Sequence, residues 1–305
     1  MQKLSVTLIL ILLIQYSIAQ SIADTNLIKQ HLTAITKTSK PRNYNNITTL
    51  NQVAEYIRLE FAKYADTTYF QTFLAENNVE YKNVVCSFGP KNAKTIVMGA
   101  HYDVCGNQEG ADDNASGVVG ILELARLLQG KKLNYRVELV AYTLEEPPYF
   151  RSEYMGSYIH AQSLRKNNVD VFGMVSVEMI GYYDENKHSQ HYPLSFLSVF
   201  YGNKGNYITL VNKLGKGKFA RKFTNSFKHK ASIRTKRFFG PKALTGIDFS
   251  DHLNYWNLGY SALMLTDTSF YRNNNYHEKT DTMETLNIPA MAEVINTMLH
   301  TLVVM

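Results

Sequence analysis

The segment at residues 95–103, TIVMGAHYD, decides the fold because it joins an apolar strand to two polar side chains at its end. Residues 115–129 follow as an apolar helix, and Gly130 is a typical helix stop. The next apolar run, YRVELVAYT at 135–143, reads as a second strand. A strand, a helix and another strand in this order predict a parallel pair with the helix packed across it.

The same alternation continues in both directions along the chain. Further strands are predicted at 68–75, 81–89, 171–179, 194–201 and 260–267, and further helices at 50–64, 156–166 and 288–302. Such alternation predicts the α/β class: a three-layer α/β/α sandwich whose largely parallel sheet is covered on both faces. Because no linker-like stretch divides residues 20–305, we expect a single domain there.

Two local expectations concern caps and cysteines. Thr48 or Thr49 is expected to cap the helix at 50–64. The strands on either side of residues 90–93 are expected to form a hairpin, which would place Cys86 opposite a residue near Val97. Cys105 would then lie too far along the chain for a disulfide, so both cysteines are expected to be free.

Composition excludes several classes of protein. The 305 residues are 45% hydrophobic and 19% charged, which is ordinary globular usage and not that of a disordered chain. Two cysteines exclude a disulfide framework. The net charge of +6 comes from a basic segment at 213–242, where Phe219, Phe223 and Phe227 recur every four residues. This pattern predicts an amphipathic helix with a solvated basic face, and nucleic-acid binding is not expected because no recognition motif accompanies it.

The N-terminus has a different composition from the rest. Residues 1–20, MQKLSVTLILILLIQYSIAQ, contain a lysine, an eleven-residue apolar run and small residues before a cleavage point after Ala19. This pattern is typical of a secretory signal peptide, and the run is too short to span a bilayer. Residues 1–19 are therefore expected to be removed, leaving a secreted or periplasmic protein without a membrane span.

Acidic and histidine side chains follow the ends of the predicted strands. In α/β sheets the functional crevice lies beyond the carboxyl ends of the strands. The residue types suit two divalent ions, because imidazole and carboxylate are ligands of Zn²⁺ and a paired site needs a shared carboxylate. Asp113 is the expected bridge, with His101 and Glu178 on one ion and Glu146 and His277 on the other.

Two further carboxylates have expected roles beside the metals. Glu145 is left free next to a ligand and is the candidate general base. Asp103, two residues after His101, is the candidate partner that orients the imidazole ring during catalysis.

The ordered motifs GAHYD, GADDNASG, EE, a buried acid and YHEKTDT resemble the co-catalytic di-zinc aminopeptidases. That group includes secreted bacterial leucyl aminopeptidases, glutamate carboxypeptidase II, glutaminyl cyclase and the enzymatically silent transferrin receptor. The resemblance covers nearly all of residues 20–305. It implies a mixed eight-stranded sheet, two Zn²⁺ ions with Co²⁺ or Mn²⁺ as possible substitutes, and peptide substrates. It also implies Asp113 as the bridge, Glu145 as the base and Asp281 as a structural support.

The sequence departs from the resemblance in two places. Glu178 stands where many members have Asp, and Ile247 lies near a position where some aminopeptidases have a tyrosine. Residues 147–155, PPYFRSEYM, are longer than in the simplest members and are expected to shape the substrate pocket. Asp112 is expected to cap the following helix or face water.

Several alternatives remain open beside a secreted aminopeptidase. A glutaminyl cyclase would use one zinc, and a carboxypeptidase or dipeptidase would use the same ligands. A binding protein without activity is disfavoured because the ligand set is complete. Ser250, Asp251 and His252 are adjacent in sequence and are not expected to form a serine-hydrolase triad. The oligomeric state is not indicated.

Overall fold

Within residues 22–76, 78–215 and 217–305, which the computed structural model describes, eight strands form one mixed sheet. The strands are β1 (Thr67–Leu74), β2 (Glu80–Phe88), β3 (Thr95–His101), β4 (Arg136–Tyr142), β5 (Val171–Glu178), β6 (Ile208–Lys213), β7 (Thr235–Gly240) and β8 (Ala262–Thr266). Their order across the sheet is β1-β2-β4-β3-β5-β8-β6-β7. The signal peptide predicted at 1–19 lies outside the described residues.

Helices cover both faces of this sheet. They are α1 (Thr25–Thr36), α2 (Ile47–Ala62), α3 (Gly117–Leu128), α4 (Gly156–Lys166), α5 (Leu197–Tyr201), α6 (Lys218–Lys230), α7 (His252–Asn257) and α8 (Ile288–Val304). The first core cluster joins the sheet to α1, α2, α3, α6 and α8, and a second cluster on the other face joins it to α4 and α7. The predicted three-layer sandwich is confirmed.

Alternation along the central strands produces these two cores. In β3, Ile96, Met98 and Ala100 face the first cluster, whereas Val97 faces the second. All seven residues of β3 are buried, because successive side chains point to opposite faces and each face carries a helical layer.

The four central strands bring together the carboxyl ends that carry or precede predicted site residues. β4, β3, β5 and β8 are neighbours and run parallel to one another. Their carboxyl ends therefore meet at one edge of the sheet. The outer strands β2 and β6 pair antiparallel to β4 and β8.

The predicted hairpin is wrong. β2 and β3 are not neighbours; β4 lies between them, and Cys86 pairs with Leu139 rather than with a residue near Val97. The short connection favours a hairpin locally, but β4 is buried at six of its seven positions and needs a partner on each edge. Both cysteines are nevertheless free, as expected.

Two further local predictions are wrong. Residues 194–201 contain the short helix α5 instead of a strand. Leu197 and Tyr201 line a cavity, whereas Val199 and Phe200 are 81% and 76% exposed, so this apolar run does not pack in the core. α2 begins at Ile47, so Thr48 and Thr49 lie inside its first turn and do not cap it. The basic segment does contain the predicted amphipathic helix, α6, which buries Phe219, Phe223 and Phe227.

Among the described residues, none of the helices is both long enough and apolar enough to span a lipid bilayer.

Candidate metal and catalytic site

The predicted site residues converge at the carboxyl edge of the central strands. His101 is the last residue of β3, and Glu178 is the last residue of β5. Glu145 and Glu146 follow β4 after two residues, and His277 lies in the long connection after β8. Asp113 lies in an irregular helical turn, Ala111–Ser116, where its own φ and ψ (−104° and 94°) depart from helical values. The sheet thus brings together side chains from distant parts of the sequence.

Asp113 lies between the two histidines. Its Oδ1 is 3.3 Å from Nε2 of His101, and its Oδ2 is 3.1 Å from Nε2 of His277. On the first side, Oε1 of Glu178 is 3.5 Å from the same nitrogen of His101. On the second side, Oε2 of Glu146 is 3.3 Å from the His277 nitrogen. One carboxylate therefore lies between two groups of donors, and the role of Asp113 as a bridging ligand stays a prediction.

Several of these donor atoms are buried without a hydrogen-bond partner. They include Nε2 of His277, Oε1 of Glu146 and Oδ2 of Asp113. The His277 nitrogen approaches two oxygens within 3.3 Å, yet neither contact has hydrogen-bond geometry. Buried polar atoms are normally paired, so unpaired atoms on neighbouring ligand-type side chains fit a bound cation. This donor chemistry suits zinc; its two-ion occupancy stays a prediction.

Burial and close contact between charged side chains shift the pKa values of the site residues. Burial raises the pKa of Glu146 to about 7, and Asp113 adds to the shift. Burial lowers the pKa of His277, but Asp113 and Glu146 outweigh it and raise the pKa to about 10. Burial opposes ionisation of Asp113, yet the two histidines hold its pKa below the usual range. A cluster so dense in carboxylates requires positive charge nearby.

Glu145 stands beside this cluster and faces the cavity. Its Oε2 is 3.8 Å from Nε2 of His101, and the residue is 7% exposed. Burial raises its pKa well above the ordinary range, His101 opposes the shift, and Glu146 and Glu178 add to it. A carboxylate with a raised pKa next to an open cavity suits proton transfer.

Asp103 supports the site through two contacts. Its carboxylate accepts hydrogen bonds from the backbone N–H groups of Glu145 and Glu146, at 3.2 and 3.1 Å. Its backbone oxygen lies 3.2 Å from Nδ1 of His101, and its Oδ1 lies 3.7 Å from the same atom. Asp103 is therefore placed to position the ring and the Glu145–Glu146 pair, and it is not among the described residues that line the cavity.

Asp281 fixes the turn that carries the bridging residue. Its two carboxylate oxygens accept hydrogen bonds from the backbone N–H groups of Asp112 and Asp113, at 2.8 and 3.0 Å. The contacts agree with the supporting role that the sequence predicted. The expectation for Asp112 is wrong: it is fully buried, neither caps a helix nor faces water, and hydrogen-bonds to Asn273. The backbone N–H of Gly181 also donates to it, at 2.9 Å, and burial, with the neighbouring carboxyl of Asp267 adding to it, raises the pKa of Asp112.

Glu178 is held by two side chains. Ser250 Oγ donates a 2.6 Å hydrogen bond to its Oε2, and Asn114 Nδ2 donates one of 3.2 Å to the same atom. Nε2 of His252 hydrogen-bonds to the backbone oxygen of Ile247 instead of approaching Ser250. The serine, aspartate and histidine at 250–252 therefore form no triad, as expected.

Arg42 is a supporting residue that sequence reasoning missed. Its side chain is 1% exposed and donates hydrogen bonds to the backbone oxygens of Tyr102, Glu109 and Gly110. Burial lowers its pKa to about 10, partly offset by Asp281 and other carboxylates of the site. Arg42 lies sixty residues before the first motif, so only a conserved arginine in aligned relatives would have indicated it.

A cavity of about 290 Å³ opens beside the cluster. The acidic end is formed by Asp113, Glu145, Glu146, Glu178 and His277. The remainder is largely apolar and aromatic and includes Tyr207, Val211, Phe238, Leu244, Ile247, Phe249, Met264, Phe270 and Tyr276. Pro147 and Phe150 also line it, so the segment at 147–155 does shape the pocket. None of the described residues that line this cavity is a lysine or an arginine.

Comparison with known proteins agrees with this architecture. The sequence pattern of Peptidase family M28 matches residues 83–302, well over half of the chain, and the chain belongs to that family. It is 42% identical over 270 residues to the protein YfbL of Escherichia coli (strain K12), which is described as uncharacterized. That alignment covers 86% of this chain and 82% of YfbL. Leucine aminopeptidase 1 of Ajellomyces dermatitidis is 26% identical over 69% of this chain and 52% of its own length.

Solved structures show the same fold at low sequence identity. LapB of Legionella pneumophila superposes with a TM-score of 0.72 and 21% identity, covering 94% of this chain and 74% of LapB. The glutaminyl cyclase of Tannerella forsythia superposes with a TM-score of 0.65 and 19% identity, covering 92% of this chain and 98% of the cyclase. At these identities the two likenesses show the fold alone.

Proposed function

We propose that this chain is a zinc-dependent aminopeptidase that removes N-terminal residues with large apolar side chains from peptides. One observation carries the proposal: Asp113 bridges two donor groups, His101 with Glu178 and His277 with Glu146, beside an apolar cavity. His101, Asp113 and Glu178 would hold one ion, and Asp113, Glu146 and His277 the other. The proposal is supported by the family assignment and by the buried donor atoms without partners.

The ions and the protein would each supply part of the chemistry of peptide hydrolysis. When bound, divalent ions would polarise the scissile carbonyl, acidify the attacking water and favour the ionised form of Glu145. Glu145 takes the proton of that water and returns it to the leaving amine. Asp103 holds the backbone of Glu145 in place, and the apolar cavity binds the substrate side chain and excludes water.

Charge in the cavity favours cleavage at the N-terminus. A free α-amine is cationic and fits beside the carboxylates that line the acidic end. A carboxypeptidase must instead bind a terminal carboxylate, and such sites commonly use arginine. No lysine or arginine belongs to the described lining of this cavity, so the aminopeptidase is preferred over a carboxypeptidase.

A panel of aminoacyl-p-nitroanilides with N-acetylated counterparts tests the activity. We expect cleavage of free-amine leucyl and phenylalanyl substrates, loss of activity on chelation and recovery with added zinc. Cleavage of the acetylated substrates, or no cleavage in any lane, would contradict the proposal. In the second case peptides with N-terminal glutamine would test the cyclase alternative.

Glu145→Gln tests the assigned base directly. Loss of a general base costs about 10²–10⁴-fold in rate, so we expect kcat to fall by that factor with metal content unchanged. Glu153→Gln is the matched control because Glu153 is an exposed glutamate in the same connection. Full turnover by Glu145→Gln would show that the base is assigned wrongly.

Export is proposed on the N-terminal sequence alone. Residues 1–19 carry the features of a cleaved signal, and the remainder would act as one catalytic domain outside the cytoplasm. Mass spectrometry of the protein recovered from its native host tests this, because cleavage leaves Gln20 as the first residue. A mature protein that retains residues 1–19 would contradict it.

A further inference from the structure

We infer that Cys105 is a fourth protein ligand of the ion held by Asp113, Glu146 and His277, so that this ion has a thiolate in its coordination sphere. The inference deepens the proposed function, since it assumes that metal binds at this end of the site. Cys105 was expected to be only a free thiol, and nothing in the motif pattern marks it as a ligand.

The geometry places the sulfur among the donors. Sγ of Cys105, a carboxylate oxygen of Glu146 and a ring nitrogen of His277 all lie within 4.8 Å of one another. Oε1 of Glu146 is buried without a hydrogen-bond partner, and so is Nε2 of His277. The thiol therefore borders two donors that are themselves unsatisfied.

The loop that carries Cys105 is fixed on both sides. The N–H of Val104 donates to the backbone oxygen of Arg42 at 3.2 Å. On the other side, Nδ2 of Asn43 donates to the backbone oxygen of Gly106 at 2.5 Å. Since the two neighbours are anchored to the same connection between α1 and α2, Cys105 is held beside Glu146 and not left on a free loop.

The donor set then matches what zinc prefers. With Cys105, the second ion would have four protein donors, a thiolate, an imidazole and two carboxylates, all of them ligand types of zinc. The first ion has an imidazole and two carboxylates only. Thiolate is the softer ligand and favours zinc, so the site with Cys105 is expected to bind zinc more tightly and fill first. Binding there releases the thiol proton, because a coordinating thiol is deprotonated.

Cobalt substitution of the full chain tests the inference spectroscopically. We expect the first equivalent of Co²⁺ to produce a thiolate-to-metal charge-transfer band in the near ultraviolet, and the second equivalent to add little to it. Cys105→Ser is expected to lose the band and to bind zinc at least about 10-fold more weakly at one of its two sites in a chelator competition. Cys86→Ser is the control, because Cys86 is buried in β2 and is the other cysteine of the chain.

A second measurement needs no variant. Zinc X-ray absorption of the wild-type holoprotein should contain a sulfur shell at about 2.3 Å. A metal-loaded wild type without either sulfur signal would overturn the inference, as would a charge-transfer band that survives in Cys105→Ser.

The two proposals fail in different ways. Aminopeptidase activity without a sulfur ligand would refute the role of Cys105 and leave the proposed function standing. A sulfur ligand in a protein that cleaves no peptide would refute the proposed function and leave the role of Cys105 standing.

Discussion

Replacing Arg42 by methionine perturbs the site without touching a predicted ligand. The guanidinium is buried and donates three hydrogen bonds to backbone oxygens, at 2.8 Å to Tyr102, at 2.6 Å to Gly110 and to Glu109. Methionine keeps most of the apolar volume but removes the charge and all three donors. The affected backbone lies between His101 and Asp113, so the change acts on how the site is held.

The expected loss of stability follows from the burial of the guanidinium and from its three hydrogen bonds. A hydrogen bond to a charged group contributes about 1.5–3 kcal/mol, so three bonds represent several kcal/mol. Part of this is offset because the variant no longer buries a guanidinium. We expect a net loss of about 3–5 kcal/mol, the range seen when one member of a buried charged network is removed.

Metal should change the size of that loss. Without metal, Arg42 is a buried cation near Asp113 and Asp281; burial lowers its pKa, and the attraction of these carboxylates offsets part of that shift. Two divalent ions would neutralise Asp113, which is a predicted ligand, and would repel Arg42. We therefore expect Arg42→Met to destabilise the metal-free protein more than the zinc-loaded protein, by about 1–2 kcal/mol at an effective dielectric of about 20.

Urea unfolding followed by circular dichroism, with chelator and with zinc, measures both quantities. Arg42→Lys separates charge from geometry, since it keeps the cation but loses the planar fork. It should lose stability nearly equally in the two conditions. An equal loss for Arg42→Met with and without zinc would refute the electrostatic reasoning.

Three shorter predictions concern a ligand support, pH and specificity. Ser250→Ala removes the 2.6 Å hydrogen bond to Glu178 and should weaken metal binding about 10-fold in a chelator competition; unchanged affinity would contradict this. Burial lowers the pKa of His252 from 6.5 to about 4. The contribution of its neutral ring to the free energy of unfolding is therefore complete above pH 6.5, and it falls by about 3 kcal/mol as the pH drops toward 4. Metal-free wild type should lose that much more stability over this range than His252→Gln, and parallel curves would exclude the assignment. Val211→Trp fills the apolar cavity and should lower kcat/KM for leucyl and phenylalanyl substrates at least about 10-fold, with alanyl substrates little changed; an equal fall for all three would argue that this cavity does not bind the side chain.

The central sheet and the site could be predicted because their signals are local. Buried strands such as β3 and β5 are continuous apolar runs, and each ends in a ligand-type residue, His101 or Glu178. The carboxyl ends of parallel strands must meet at one edge, so the convergence of distant motifs follows from topology.

The structural predictions that were wrong concern features that depend on tertiary context. A four-residue connection indicates a hairpin whether or not another strand enters between its arms, and β4 pairs with both β2 and β3. The strands β6 and β7 and the helix α1 were not predicted, although α1 has a helical period that buries Ile28, Leu32 and Ile35 on one face. The run at 194–201 has the apolar composition of a buried strand, although Phe196, Val199 and Phe200 are exposed in the fold.

The supporting residues around the site show the same limit. Arg42 and Asp267 act through burial and through contacts with distant backbone, and neither belongs to a motif with recognisable spacing. Asp112 differs from Asp113 by one position, but its burial against Asp267 and Asn273 is visible only in the folded chain.

The central claim is that two zinc ions and a free-amine substrate meet at Asp113. Titrating the metal-free protein with zinc, while bound zinc per chain and hydrolysis of leucyl-p-nitroanilide are measured together, tests it most directly. The account predicts two bound zinc ions per chain, with hydrolysis that rises as they fill and that is absent for the acetylated substrate. Saturation at one zinc ion, with no hydrolysis and with cyclisation of an N-terminal glutamine peptide, would contradict it.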